Sequence, residues 1–188
     1  GLASNVLIGE ISDRMAEIGG TSILSETTEF IGAEHILAKR GKDERVSQRI
    51  YQIVHDYENA IRLVGHDVRE GNPSPGNMEG GLTTLEEKSL GCIHKGGHQI
   101  CLFSTGRGTP TGNPIVPVIK ITGNKVTYAN MSDNIDIDAS PYIYGKKTLE
   151  ELGDELFTEI KQVADGKLTK AEALGYTEMA IARVCNYM

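Results

Sequence analysis

Two short apolar runs, 99–104 and 116–122, stand among stretches whose apolar residues recur every three or four positions. That alternation limits the fold of this chain more than any other feature. Upstream, Val46, Ile50, Ile53, Val54, Tyr57, Ile61 and Val64 form one stripe, which predicts a long helix with a single buried face. Asp43 can cap that helix and Gly65 ends it. Leu7, Ile11, Met15 and Ile18 repeat the spacing and stop at Gly19-Gly20. Downstream, Leu149, Leu152, Leu156, Ile160 and Val163 share a face. Thr148 with Glu151 forms a capping box ahead of them, and Thr169 with Glu172 forms another. A helix is also expected over 30–40, and strands over 21–25, 126–128, 135–137 and 178–184. Strands alternating with helices predict an α/β layered fold, a mostly parallel sheet flanked by helices, in one domain over 1–188.

Charge narrows the choice of partner. The net charge of −7 over 188 residues argues against nucleic acid, which needs a concentrated basic patch. No run of about 18 apolar residues exists, so no helical membrane span is expected. Cys92, Cys101 and Cys185 make neither a disulfide framework nor a CxxC zinc site, which suits a reducing cytoplasm. The opening GLASNVLIGE lacks the basic and apolar regions of a signal peptide, and reads as a cut inside a longer protein.

Four segments could carry chemistry. In 19–40, Glu26, Glu29, Glu34 and His35 lie within ten positions, between an expected strand and an expected helix. Ligands bind at the carboxyl ends of parallel strands, yet acidic groups also favour a helix N-terminus on their own account. Both readings stand. In 71–92, GNPSPGNMEGGLTTLEEKSLGC, two prolines and four glycines in 71–81 exclude regular structure. The backbone there can turn several N–H groups toward an anion, just ahead of a helix start at Thr84. Its spacing is not a Walker A loop or a dinucleotide fingerprint. In 103–114, FSTGRGTPTGNP, Arg107 between two glycines can approach a carboxylate, with Ser104, Thr105 and Thr109 adding hydroxyls. In 131–140, Asp133, Asp136 and Asp138 suggest a calcium loop, but the glycine and terminal Glu of an EF-hand are missing and a half-exposed strand is favoured. His55 and His66 read as structural, and His94 and His98 flank a Gly-Gly pair. Neither HExxH nor GxSxG occurs.

Taken in order, GGTSILSETTEFIGAEH, NPSPGNMEGGLTTLEEKSLGCIHKGG, LFSTGRGTPTGNPIVPVIKITGN and DNIDID resemble the large C-terminal region of the altronate/galactarate dehydratase family, which sulfolactate sulfo-lyase large subunits share. The resemblance covers nearly the whole chain. It implies a catalytic-type domain of a lyase that eliminates water from a sugar acid, giving a 2-keto-3-deoxy acid through a metal-stabilised enediolate. Loss of sulfite from sulfolactate is the alternative, and a non-catalytic binding or assembly domain the second. It further implies a divalent metal, Fe2+ before Mn2+ or Mg2+. The expected partners are a hydroxy-acid substrate, a β-rich N-terminal domain or small subunit, and further copies of the chain. On this basis Glu29, His35 and Lys88 are candidate catalytic groups, and Glu26 with Glu29 the candidate metal ligands. Asn77, Gly80, Gly81, Arg107 and Thr109 are the candidate substrate holders. The resemblance also implies sequence that this chain lacks, ahead of GLASN and between Gly97 and Ile100.

Overall fold

The computed structural model of the chain describes residues 2–22, 34–39, 43–63 and 99–179. In chain order the elements are α1 (Leu2–Glu17), α2 (Glu34–Ala38), α3 (Glu44–Arg62), β1 (Cys101–Ser104), β2 (Val118–Thr122), α4 (Lys125–Asn130), β3 (Ile137–Asp138), α5 (Ser140–Ile143), α6 (Leu149–Ala164) and α7 (Lys170–Ala173). Two compact units emerge, Gly1–Ile23 with Gly91–Met188, and Leu24–Leu90.

In the smaller unit α2 packs on α3. Asp43 caps α3 as the sequence predicts, its Oδ1 accepting from the Val46 N–H at 2.8 Å. The Ser47 hydroxyl donates to the Ala38 carbonyl at 2.7 Å and ties the two helices together. The helix runs to Arg62, three residues short of Gly65.

The larger unit is built on a three-stranded sheet in the order β1-β2-β3, with both pairings parallel. Leu102 lies opposite Ile119, and Ile121 opposite Ile137. Alternation along the strands therefore gathers these apolar residues on one face. There Ile119 and Ile121 meet Leu7 and Ile11 of α1 and Leu152, Leu156 and Val163 of α6. Each fully buried Leu or Ile side chain contributes about 1.5–3 kcal/mol. Thr148 closes the start of α6 with the expected capping box, its Oγ1 accepting from the Glu151 N–H at 3.1 Å. Arg14 bridges α1 and α6 through Glu10 at 2.9 Å and Asp154 at 2.7 Å. The mostly parallel sheet with helices on it is the α/β layering that the alternation predicts.

Three strand expectations fail in whole or part. Residues 126–128 lie in helix α4, because Asn124 Oδ1 accepts from the Val126 and Thr127 N–H groups at 3.0 and 3.3 Å. That cap outweighs the strand preference of Val126 and Thr127. Thr21 and Ser22 are exposed and in no strand, and 23–25 lie outside the described residues. Glu178 and Met179 are likewise in no strand, and 180–184 lie outside. The 135–137 expectation holds in shifted form, as β3.

On the second face of β2 a lysine is buried. Lys120 is 0 % exposed, and its Nζ has no hydrogen-bond partner among the described residues. It sits 4.7 Å from the centroid of the Tyr176 ring. Burial lowers its pKa, opposed by the negative charges of Asp136 and Glu178. Asp136 knits this face together. Its two oxygens accept from the Lys120 N–H at 2.7 Å and the Lys170 N–H at 2.9 Å, joining β2, the approach to β3 and the start of α7. Burial raises its pKa, against the pull of those two N–H groups.

Asp136→Ala leaves both N–H groups without their acceptor and is expected to cost about 2–4 kcal/mol in urea unfolding. Lys120→Met removes a buried ammonium that makes no hydrogen bond among the described residues and is expected to stabilise by about 1–2 kcal/mol near neutral pH. The pH dependence has a definite sign. The folded chain releases the Lys120 proton below 10.5, while the unfolded chain still holds it. Wild-type stability therefore rises through that interval, and the advantage of Lys120→Met shrinks as the pH approaches 10.5. An advantage that grew with pH would contradict this assignment.

Candidate functional site

Parallel pairing brings the carboxyl ends of all three strands to one edge, at Ser104, Thr122 and Asp138. The N-terminus of α1 reaches the same edge. The Ser104 hydroxyl donates to Asn5 Oδ1 at 3.1 Å. A Cβ added at Gly123 would lie 3.1 Å from the Ala3 Cβ and 3.5 Å from the Ser4 Oγ. Ser4 is 1 % exposed and its hydroxyl has no partner among the described residues. At β3, Asp138 Oδ1 accepts from the Ser140 N–H at 2.9 Å, which turns the chain into α5.

Arg107 stands on the turn that leaves β1. Its side chain is exposed and makes no hydrogen bond or ion pair among the described residues. The turn beneath it is held tightly. Gly108 has φ +85°, a conformation that L side chains rarely adopt, and an added Cβ there would collide with Met131 Sδ and lie 2.9 Å from Thr127 Cγ2. The Gly106 carbonyl accepts from Thr127 Oγ1 at 3.0 Å and Asn124 Nδ2 at 3.4 Å. The result is a guanidinium fork presented to solvent from a fixed backbone, suited to two-point contact with a carboxylate. Thr109, the second predicted holder in this segment, is exposed on the same turn, with its N–H given to Thr105 Oγ1 at 3.0 Å.

The remaining candidates divide in two. His35 is exposed on α2, in the smaller unit. Glu26, Glu29, Asn77, Gly80, Gly81 and Lys88 lie outside the described residues, as does the rest of the glycine-rich segment. Of the aspartates in 131–140, Asp136 and Asp138 serve structure by accepting backbone N–H groups, while Asp133 is exposed. Among the described residues no three His, Cys, Asp or Glu side chains converge to hold a metal ion. A metal centre would therefore have to draw on the candidates beyond them. No described helix is long and apolar enough to cross a membrane.

Sequence reasoning passed over Asn5, Asn124 and Thr127, which shape this edge. For Asn124 a signal was present. A Gly-Asn pair directly after a buried strand and ahead of a helical stretch is an N-cap pattern. For Asn5 there was none, because its partner Ser104 is 99 positions away.

Gly108→Ala is expected to lose about 2 kcal/mol or more, since it meets both a left-handed backbone and the Met131 side chain. In a Met131→Ala background the loss is expected to shrink but persist, leaving the backbone component. Thermal unfolding of the four variants in this cycle checks it.

Comparison with known proteins gives a consistent picture. The family described as D-galactarate/altronate dehydratase, C-terminal, matches residues 1–100 and 96–186. The β subunit of (2R)-sulfolactate sulfo-lyase from Chromohalobacter salexigens is 34% identical over 225 aligned positions, covering 98% of this chain and 58% of that protein. Altronate dehydratase of Escherichia coli is 34% identical over 220 positions, covering 96% of this chain and 44% of its own length. Galactarate dehydratase (L-threo-forming) of Escherichia coli is 33% identical over 206 positions, covering 89% of this chain and 39% of its own length. The chain thus spans about half the length of these curated relatives, and the alignments run over more positions than its 188 residues.

Proposed function

The chain belongs to the D-galactarate/altronate dehydratase C-terminal family, and on that premise we propose that it is the main domain of a lyase acting on a hydroxy acid. The reaction is loss of water from a sugar acid of the altronate or galactarate type. The observation that carries this reading is the family match over nearly the whole chain, joined to an Arg107, unpaired among the described residues, at the carboxyl edge of the parallel sheet.

The chemistry sets what the residues must do. A base takes the proton at C2, hydroxide leaves C3, and the resulting enol ketonises to the 2-keto-3-deoxy acid. The C2 proton is weakly acidic, so the charge that builds on the carboxylate must be stabilised. Arg107 is assigned that contact, with Thr109 beside it and the Asn77, Gly80 and Gly81 backbone as further holders. Glu29 or His35 is assigned as the base. Lys88 is assigned as the acid that assists the leaving hydroxide, a step worth about 10²–10⁴-fold. A divalent ion, Fe2+ before Mn2+ or Mg2+, held through Glu26 and Glu29, would supply further charge stabilisation at the carboxylate and hydroxyl. A β-rich N-terminal domain or small subunit is assigned to complete the enzyme, in a cytoplasmic homo-oligomer.

A second reading has its own support. The sulfolactate sulfo-lyase β subunit is matched over 58% of its length, more than either dehydratase, at the same or slightly higher identity. In that case the base again takes the proton at C2, sulfite rather than hydroxide leaves C3, and the resulting enol ketonises to a 2-keto acid.

Incubation with iron(II) and each of altronate, galactarate and sulfolactate, with and without an N-terminal partner, distinguishes these readings. A 2-keto-3-deoxy acid is the expected product from the sugar acids, and sulfite from sulfolactate. Arg107→Ala is expected to lower turnover at limiting substrate by about 100-fold or more, and Glu26→Ala with Glu29→Ala to abolish iron uptake. Absence of turnover and of metal uptake in every combination would favour a non-catalytic binding or assembly domain instead.

A further inference from the structure

We propose that Thr105 is the positioning residue for Arg107, acting through a hydroxyl whose bonding capacity the Arg107 turn uses in full. This rests on the reading of Arg107 as a carboxylate holder and adds the element that fixes its direction. Thr105 is 8 % exposed and follows directly on β1, where its own N–H donates to the Ile121 carbonyl at 2.9 Å. Its backbone is thus an extension of the sheet. Its Oγ1 accepts from the Gly108 N–H and the Thr109 N–H, both at 3.0 Å, and donates to Thr109 Oγ1 at 3.4 Å. A hydroxyl has one proton and two lone pairs, and all three are engaged in this one turn.

The consequence for Arg107 follows from where these bonds fall. On its N-terminal side the Gly106 carbonyl is held by Thr127 and Asn124 of the β2–α4 corner. On its C-terminal side the Gly108 and Thr109 amides are held by Thr105. Both flanks of the residue are therefore tied to the sheet, while its side chain stays unpaired among the described residues. Glycine at 106 and 108 gives this segment a wide conformational range when unfastened. Without the hydroxyl the turn samples other backbone conformations, and the guanidinium loses the fixed angle that two-point contact requires.

The test replaces Thr105 with valine, which keeps the shape and deletes the hydroxyl, and with serine, which keeps the hydroxyl. Amide exchange of the whole chain gives the first readout. Thr105→Val is expected to lose protection at Gly108 and Thr109 by about tenfold, and Thr105→Ser to retain it. Binding of galactarate, altronate and sulfolactate gives the second. Thr105→Val is expected to weaken whichever acid binds by about tenfold, Thr105→Ser to restore the affinity, and Thr105→Val to have no further effect in an Arg107→Ala background. Unchanged exchange, or an equal loss of affinity with and without Arg107, overturns the positioning role. If Arg107→Ala weakens binding and Thr105→Val does not, this inference falls and the carboxylate reading survives. If Arg107→Ala itself leaves affinity unchanged, or the wild-type chain binds none of the three acids, the carboxylate reading falls and this inference with it.

Discussion

All five residues of β2 are buried, and this sets the arrangement of everything packed around it. A parallel strand covered on both faces needs a layer on each. Ile119 and Ile121 draw α1 and α6 onto one side, while Lys120 lies with Asp136, Tyr176 and the start of α7 on the other. The two sides are built on different physics. One is an apolar contact surface. The other is organised by a carboxylate that accepts backbone N–H groups from two elements and by an ammonium stacked on a ring. A lysine at such a position costs stability that a methionine would not.

The same strand delivers the candidate site. Because β1, β2 and β3 run parallel, their carboxyl ends open on one edge. Thr105 to Thr109 and Gly123 with Asn124 sit just beyond the strand ends, and Asp138, the last residue of β3, reaches forward to Ser140. Each uses a short polar side chain to catch a nearby backbone N–H, which fastens these turns. Arg107 is the exception, a long cation that the turn presents and does not use. That contrast between a well-bonded backbone and a guanidinium unpaired among the described residues is what the proposed carboxylate contact rests on.

Much of the fold was legible in local patterns. The stripes of α1, α3 and α6 and the capping boxes at Thr148 and Thr169 depend on spacings of three or four residues, which sequence displays directly. The central strands were legible for the same reason, as short apolar runs bounded by glycine and proline. The failures share a cause. Val126 and Thr127 favour strand by their own chemistry, but a single cap from Asn124 decides for helix. Asp136 was read with Asp138 as an outward residue of a half-exposed strand, and its structural role was not visible because its two partners lie 16 and 34 positions away.

The sequence by itself determined the helical stripes of α1, α3 and α6, the two central strands, that Arg107 would lie on a glycine-flanked turn after a strand, and the family resemblance carried by its ordered motifs. Those properties reside in neighbours along the chain. Tertiary structure alone decided that Lys120 is buried beneath Tyr176, that Asn5 meets Ser104 at the sheet edge, and that Thr105 fastens both amides beyond Arg107 while Thr127 and Asn124 hold the carbonyl before it. These depend on which faces and strand ends are brought together when β2 is buried, and a list of residues in order does not contain that information.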